Sequence, residues 1–161
     1  AGEGAITGLF SVLVEGDDLD EPISDAARGI LDGHIVLTRD LAHKNHYPAI
    51  DVLQSISRLM NKIIPKDRME KANVIKNLMA EYKKNEDMIT IGMYVKGSSA
   101  NIDAAIALKD KIDEFLTQEI EAGYSYEETM MLMDEIIAYL RGDIEEEDES
   151  GDSFFSDDSF F

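Results

Sequence analysis

The chain has 161 residues, of which 44% are hydrophobic and 30% charged, a balance that suits one domain with its own core or part of a domain joined to a helical module. It contains no cysteine, which excludes disulfides, thiolate zinc sites and cysteine nucleophiles, and its three histidines (His34, His43, His46) argue against a histidine-based catalytic metal site. A formal net charge of −19 argues against nucleic-acid binding, which needs a basic footprint.

Through about residue 64 the sequence mixes strand and helix signals. The apolar run Ile6-Thr7-Gly8-Leu9-Phe10-Ser11-Val12-Leu13-Val14, bounded by Gly4 and Gly16, predicts a buried strand. An acidic turn, Glu15-Gly16-Asp17-Asp18, follows. Pro22 suits the first turn of a helix reaching Leu31, and Asp32-Gly33 stops it. His34-Ile35-Val36-Leu37 reads as a second buried strand, and Thr38 as the cap of a brief helix through Ala42. Strands alternating with helices favour an α/β layer with parallel pairing. Two strands make no stable sheet alone, so this region is expected to be part of a larger one.

The second region is helical. Between Lys66 and Ile91, apolar residues recur at Met69, Ala72, Ile75, Met79, Tyr82 and Ile89, in three- and four-residue steps along one face. Gly97-Ser98-Ser99 interrupts, with Ser99 as an N-cap, and a second stripe follows at Ile102, Ala105, Ile106, Ile112 and Leu116. Ser125-Tyr126-Glu127-Glu128 has the capping-box form and opens a third helix with Met130, Met133, Ile136, Ile137 and Leu140 inside. These helices are expected to pack as a small antiparallel bundle. Beyond about Gly142 the chain is acidic and serine-rich, with Phe154-Phe155 and Phe160-Phe161 embedded, a composition expected to be disordered. Those aromatics have the look of a short docking motif, although a plain disordered extension explains them as well. No apolar run approaches the roughly 20 residues that span a bilayer, and no secretory signal opens the chain, so a cytoplasmic location is expected. The sequence opens on Ala1 in mid-pattern and is expected to be a piece of a longer protein.

Gly4-Ala5-Ile6-Thr7 through Val14-Glu15-Gly16-Asp17-Asp18, Pro22-Ile23-Ser24-Asp25 and Ile30-Leu31-Asp32-Gly33-His34-Ile35-Val36-Leu37 stand in close order. His46-Tyr47-Pro48-Ala49-Ile50-Asp51-Val52-Leu53 and Ser55-Ile56-Ser57-Arg58 follow. Together they resemble the flagellar and type III secretion export ATPases, homologues of the catalytic subunits of rotary ATP synthases. The resemblance runs almost continuously over residues 4–58 and more weakly to about Tyr139, leaving the acidic tail outside it. The run Ile91-Gly92-Met93-Tyr94-Val95-Lys96-Gly97-Ser98 is similar to the flagellar members rather than the injectisome ones.

That resemblance implies the C-terminal part of a RecA-like α/β nucleotide domain at residues 1–64, an all-helical C-terminal domain at 65–141 and a tail at 142–161. It implies hydrolysis of ATP with Mg²⁺ to energise protein export. Both would be bound mainly by an upstream part, because the family's Gly-x-x-x-x-Gly-Lys-Thr loop is absent from these 161 residues. The chain alone is therefore expected to be inactive. Arg58 would act as the catalytic arginine reaching a neighbouring subunit's γ-phosphate, and Tyr47 with Pro48 would form the adenine platform. Judged apart from the motif, Arg58 is an ordinary exposed ion-pair former and Tyr47-Pro48 a locally packed turn. The implied partners are a homohexamer of like chains, a coiled-coil central stalk protein met by the turn at residues 93–99, a stator-like peripheral regulator, export-gate membrane proteins and chaperone–substrate complexes. These would place the protein against the inner face of the cytoplasmic membrane.

Other features carry blander readings. Asp17 and Asp18 offer paired carboxylates, but adjacent aspartates in a loop are usually just solvated, and no metal ligand is assigned. His43 and His46 lack a third ligand nearby and read as solvated or capping. Met130, Met131 and Met133 form either a soft binding surface or ordinary core. Two other identities stay open from sequence: a non-catalytic adaptor that reuses this module, and a fragment of an ATP synthase subunit.

Overall fold

A computed structural model describes residues 4–14, 16, 18, 20–121 and 123–142. The order of elements is α1 (Pro22–Ile30), β1 (Gly33–Leu37), α2 (Arg39–His43), β2 (Ile50–Ser57), α3 (Met60–Ile63), α4 (Lys66–Thr90), α5 (Ala100–Ala107), α6 (Lys109–Leu116) and α7 (Tyr126–Arg141). This is the end of an α/β layer followed by a helical unit.

The N-terminal apolar run corrects the first expectation. Residues 6–14 form no strand, and Ile6, Leu9, Phe10 and Leu13 are exposed. A strand exists only where a neighbour takes up its backbone N–H and C=O groups, and the two described strands pair only with each other. Parallel pairing is corrected as well, because β1 and β2 run antiparallel. A right-handed parallel crossover needs a helix long enough to span the sheet, and the five-residue α2 is not. Instead Thr38 N–H donates to the Ala49 carbonyl at 3.0 Å and closes the connection as an elaborated hairpin. Neither β2 nor the single turn of α3 is among the sequence expectations.

α1 starts on Pro22 at its first position, where a missing N–H costs nothing. Thr38 caps α2, its Oγ1 accepting from Leu41 N–H. The capping box of α7 is complete: Glu128 N–H donates to Ser125 Oγ at 3.2 Å and Ser125 N–H to Glu128 Oε2 at 2.7 Å. Hydrogen bonding from Ser125, its backbone N–H first, holds the Glu128 carboxyl below its ordinary value.

α4, α5, α6 and α7 pack round one apolar core of Ile75, Leu78, Ala104, Ala105, Leu108, Ile112, Met133, Ile136, Ile137 and Leu140. The expected inward face of α7 is the observed one, with Met130 and Tyr139 flanking it and Met131 exposed. In the middle stripe the pattern is only half right. The chain breaks into two helices at Leu108, so the deepest positions are Ala104, Ala105, Leu108 and Ile112, while Ile102 and Ile106 are only partly covered. α4 ends in Gly92, whose φ of 71° lets Gly92 N–H and Met93 N–H turn back onto the carbonyls of Ile89 and Met88. None of the described helices is long and apolar enough to cross a membrane. The acidic tail, Asp17 and the phenylalanine pairs lie outside the described residues.

Leu108 is 1% exposed at the hinge between α5 and α6. Leu108→Ala should destabilise the helical unit by about 2–5 kcal/mol, read as a lower urea midpoint with an unchanged slope.

Candidate functional site

The polypeptide between α1 and β2 places the two residues singled out from sequence at opposite ends of β2. Tyr47 and Pro48 precede the strand and Arg58 follows it.

Tyr47 is delivered by the end of α2. Asn45 adopts a φ of 59°, a left-handed conformation that asparagine tolerates better than most residues. Asn45 N–H then bonds the Ala42 carbonyl and His46 N–H the Leu41 carbonyl, each at 3.0 Å, so the helix stops and the chain turns outward. The Tyr47–Pro48 peptide bond is cis. Tyr47 is 47% exposed. Its carbonyl, by contrast, is engaged. Gln118 N–H, just past α6, donates to it at 2.7 Å, and Thr117 Oγ1 lies 3.2 Å from His46 Nδ1. His46 therefore links the turn to the helical unit, and His43 is exposed on α2. No three His, Asp or Glu side chains among the described residues converge on a possible ion.

At the other end, Arg58 N–H donates to the Asp32 carbonyl at 2.8 Å, extending the β1–β2 pairing by one rung. Its guanidinium is exposed, and Nη2 donates to the Arg28 carbonyl at 3.1 Å. That carbonyl belongs to the last turn of α1, where acceptors lack an intrahelical partner and the helix end is negative. The Arg28 side chain turns away to Asp20 and Asp25, at 3.0 and 3.2 Å. The arrangement holds the arginine at the surface through one hydrogen bond of its guanidinium.

Glycine makes the rung possible. At position 33, a Cβ would stand 2.6 Å from the Ile56 carbonyl oxygen, a contact no side chain tolerates. Between this tight end and the far end the ladder is irregular: His34 pairs with Ile56, but Val36 pairs with Asp51. Only Ile35 opposes residues 52–55, so β2 bulges. Side chains fill the broken rungs. Ser55 Oγ accepts from Val36 N–H at 3.0 Å and donates to the Asp51 carbonyl at 2.6 Å, while His34 Nε2 lies 3.0 Å from the Gln54 carbonyl. The Asp51 carboxylate takes Gln54 N–H at 3.0 Å, Gln54 Nε2 at 2.7 Å and Lys83 Nζ, from α4, at 3.3 Å. Burial is the largest single influence on this carboxyl and opposes its ionisation. The two Gln54 hydrogen bonds and the Lys83 ammonium together outweigh burial, and its pKa falls below the ordinary 3.8. Sequence reasoning missed Asp51, since a lone aspartate in a β-rich run carries no signal until the bulge places it against α4.

Comparisons with known proteins match two stretches of the chain. Residues 1–57 match the nucleotide-binding domain of the ATP synthase alpha/beta family, and residues 64–135 match the T3SS EscN ATPase C-terminal domain. Together these matches support a fragment of a flagellar or type III secretion export ATPase. It is 49% identical over 127 residues to the flagellum-specific ATP synthase of Treponema pallidum, covering 79% of this chain and 28% of that one. The assembled ATPase EscN of the enteropathogenic E. coli type III secretion system superposes with a TM-score of 0.75 at 42% identity, over 79% of this chain and 31% of EscN. EscN in complex with its central stalk EscO gives 0.69 at the same identity, over 73% and 29%. The chain thus spans less than a third of the length of each of these three relatives.

Two outcomes test the geometry. Gly33→Ala should cost about 1–3 kcal/mol of stability by forcing β1 from the end of β2, measured by denaturant unfolding. For Asp51, a carboxyl depressed by folding contributes stability that is fully present above the unfolded value of 3.8 and lost as pH falls through the lower folded value. The stability gap between wild type and Asp51→Asn should therefore be flat near neutrality and shrink on acidification through that range.

Proposed function

We propose that this chain is the C-terminal segment of an ATPase that hydrolyses ATP to energise flagellar protein export. In this reading residues 1–64 complete a nucleotide domain and 65–141 form a separate helical domain. Arg58 supports it most directly. In the motif Ser55-Ile56-Ser57-Arg58, the arginine stands exposed at the end of β2, steadied on a helix-end carbonyl, with no carboxylate paired to it among the described residues. A planar, permanently charged fork in that position stabilises negative charge spreading over the oxygens of a transferring phosphoryl group. Supplied to a neighbour's nucleotide, it makes hydrolysis depend on assembly, which we propose is a homohexamer. Tyr47 and Pro48 would border the adenine of the chain's own nucleotide, where the half-exposed ring offers a π-face without demanding specific hydrogen bonds.

ATP would be held chiefly by residues outside these 161, which contain no Gly-x-x-x-x-Gly-Lys-Thr loop, and the isolated chain would not turn it over. The described residues do not fit a magnesium cage. The ion would be held elsewhere in the whole enzyme, and no step is assigned to it through this chain. By likeness to EscN, whose structure with its stalk EscO is known, the α4–α5 turn carrying exposed Met93 and Val95 would meet a coiled-coil stalk. A stator-like regulator, export-gate membrane proteins and chaperone–substrate complexes complete the proposed partners, at the cytoplasmic face of the membrane.

In the full-length enzyme, Arg58→Ala should lower kcat by about 10³-fold or more while leaving ATP binding nearly intact. Hydrolysis near the wild-type rate would overturn the role of Arg58. Tyr47→Ala should raise KM for ATP by about tenfold and Tyr47→Phe should not, measured by steady-state kinetics.

A further inference from the structure

The sheet region and the helical unit meet across a cleft of about 360 Å³, walled by Leu41, Ile50 and Leu53 on one side and Leu78, Tyr82 and Ile112 on the other. Two ion pairs span it. Lys83 of α4 reaches Asp51 of β2 at 3.3 Å, and Lys44, after α2, reaches Glu86 of α4 at 3.6 Å. Exposed pairs between long side chains are worth no more than about 1 kcal/mol, so they steer the two units without locking them. Asp51 stands apart from the other three groups. Its side chain is only 12% exposed against 58% for Lys83; its carboxylate is tied into the bulge through Gln54, and its backbone carbonyl accepts from Ser55 Oγ.

The bulge is where β2 regains its register with β1. Three residues of β2 beyond what β1 supplies are taken up between Asp51 and Ile56, by the same Gln54 and Ser55 that Asp51 holds. From Ile56 onward the chain has no slack: Ile56 abuts Gly33, Ser57 pairs with Gly33, and Arg58 N–H is on Asp32. A shift of the Asp51 carboxylate must therefore alter the bulge or move the end that carries the guanidinium.

We propose that Asp51 is a positioning residue for Arg58, receiving the placement of the helical unit through Lys83 and passing it along β2 to the arginine. This rests on the assignment of Arg58 given above. It identifies the strand, rather than the α3 linker alone, as the route by which helical movement reaches the phosphoryl-contacting group.

The test uses the full-length enzyme and measures ATP hydrolysis, under steady-state and single-turnover conditions, in a cycle of Asp51→Asn and Lys83→Met with Arg58→Ala. Misplacement of a catalytic group by about 1 Å costs up to about 100-fold, so Asp51→Asn should lower kcat by about 10- to 100-fold, with KM changed by less than about threefold. Lys83→Met should lower kcat in the same sense but less. Neither change should lower kcat further in the Arg58→Ala background, because no guanidinium remains to misplace. If Asp51→Asn does not fold, Lys83→Met, on an exposed side chain, carries the same comparison. The proposal is overturned if both substitutions leave kcat unchanged, or if they lower it by the same factor with and without Arg58. Arg58→Ala at the wild-type rate would remove the arginine assignment itself. A slow Arg58→Ala enzyme with additive Asp51 and Lys83 effects would remove only the positioning role.

Discussion

Everything exposed by this half-sheet depends on one close approach, the glycine of β1 against the Ile56 carbonyl. Because position 33 carries no side chain, the two strands come together tightly enough for Ser57 to pair with Gly33 and for Arg58 N–H to reach Asp32. The guanidinium then falls onto the carboxyl end of α1, whose last carbonyls need donors that the helix cannot provide. A bulkier residue at 33 would not merely weaken a strand pair. It would uncouple the arginine from the helix end that steadies it, while leaving the helical core untouched. Stability and site geometry are thus set by different residues in this chain, the first mainly by α4–α7 and the second by a short stretch of irregular sheet.

The two units differ in the physics that joins their parts. Within the helical unit, Leu108, Ile112 and Leu140 are almost wholly buried, and that kind of packing has no soft direction. Between the units, the contacts among the described residues include two ion pairs, a backbone bond from Gln118 to Tyr47, the Thr117–His46 side-chain contact and a cleft with partly apolar walls. Such a seam tolerates small changes of angle at little cost. The same seam touches the base of the Tyr47 turn at one place and the bulge before Arg58 at another, so one movement of the helices is felt at both ends of β2.

How much of this was legible depended on whether the signal was local. The capping box at Ser125, the inward face of α7, the proline start of α1 and the threonine cap of α2 are written within a few residues, and each stands where its side chains demand. Family resemblance supplied Arg58 and Tyr47 as candidates, and both stand at the surface. Non-local features were lost. Residues 6–14 have the composition of a buried strand but no partner among the described strands. β2 was not seen as a strand because its bulge breaks the alternation that marks one. Leu108 was overlooked because the break there resets the phase of the helical stripe. Asp51 could not be singled out, since its meaning comes from Lys83, which lies on another element.

The direction of coupling follows from where the rigid pieces end. α4 is a single 25-residue helix that is followed by the turn at Gly92 and whose C-terminal third carries Lys83 and Glu86 against the seam. At that far turn the buried Asp103 accepts from Gly97 N–H at 2.8 Å and from the Tyr94 hydroxyl at 2.9 Å, which binds the loop firmly to α5. A force on the loop is then not absorbed by local bending, because the loop, α4 and α5 move together. The nearest compliant place is the polar seam, and the residue there with the least freedom of its own is Asp51. In the coupling proposed above, a load on this loop reaches the strand that bears the arginine across the seam where Lys83 meets Asp51.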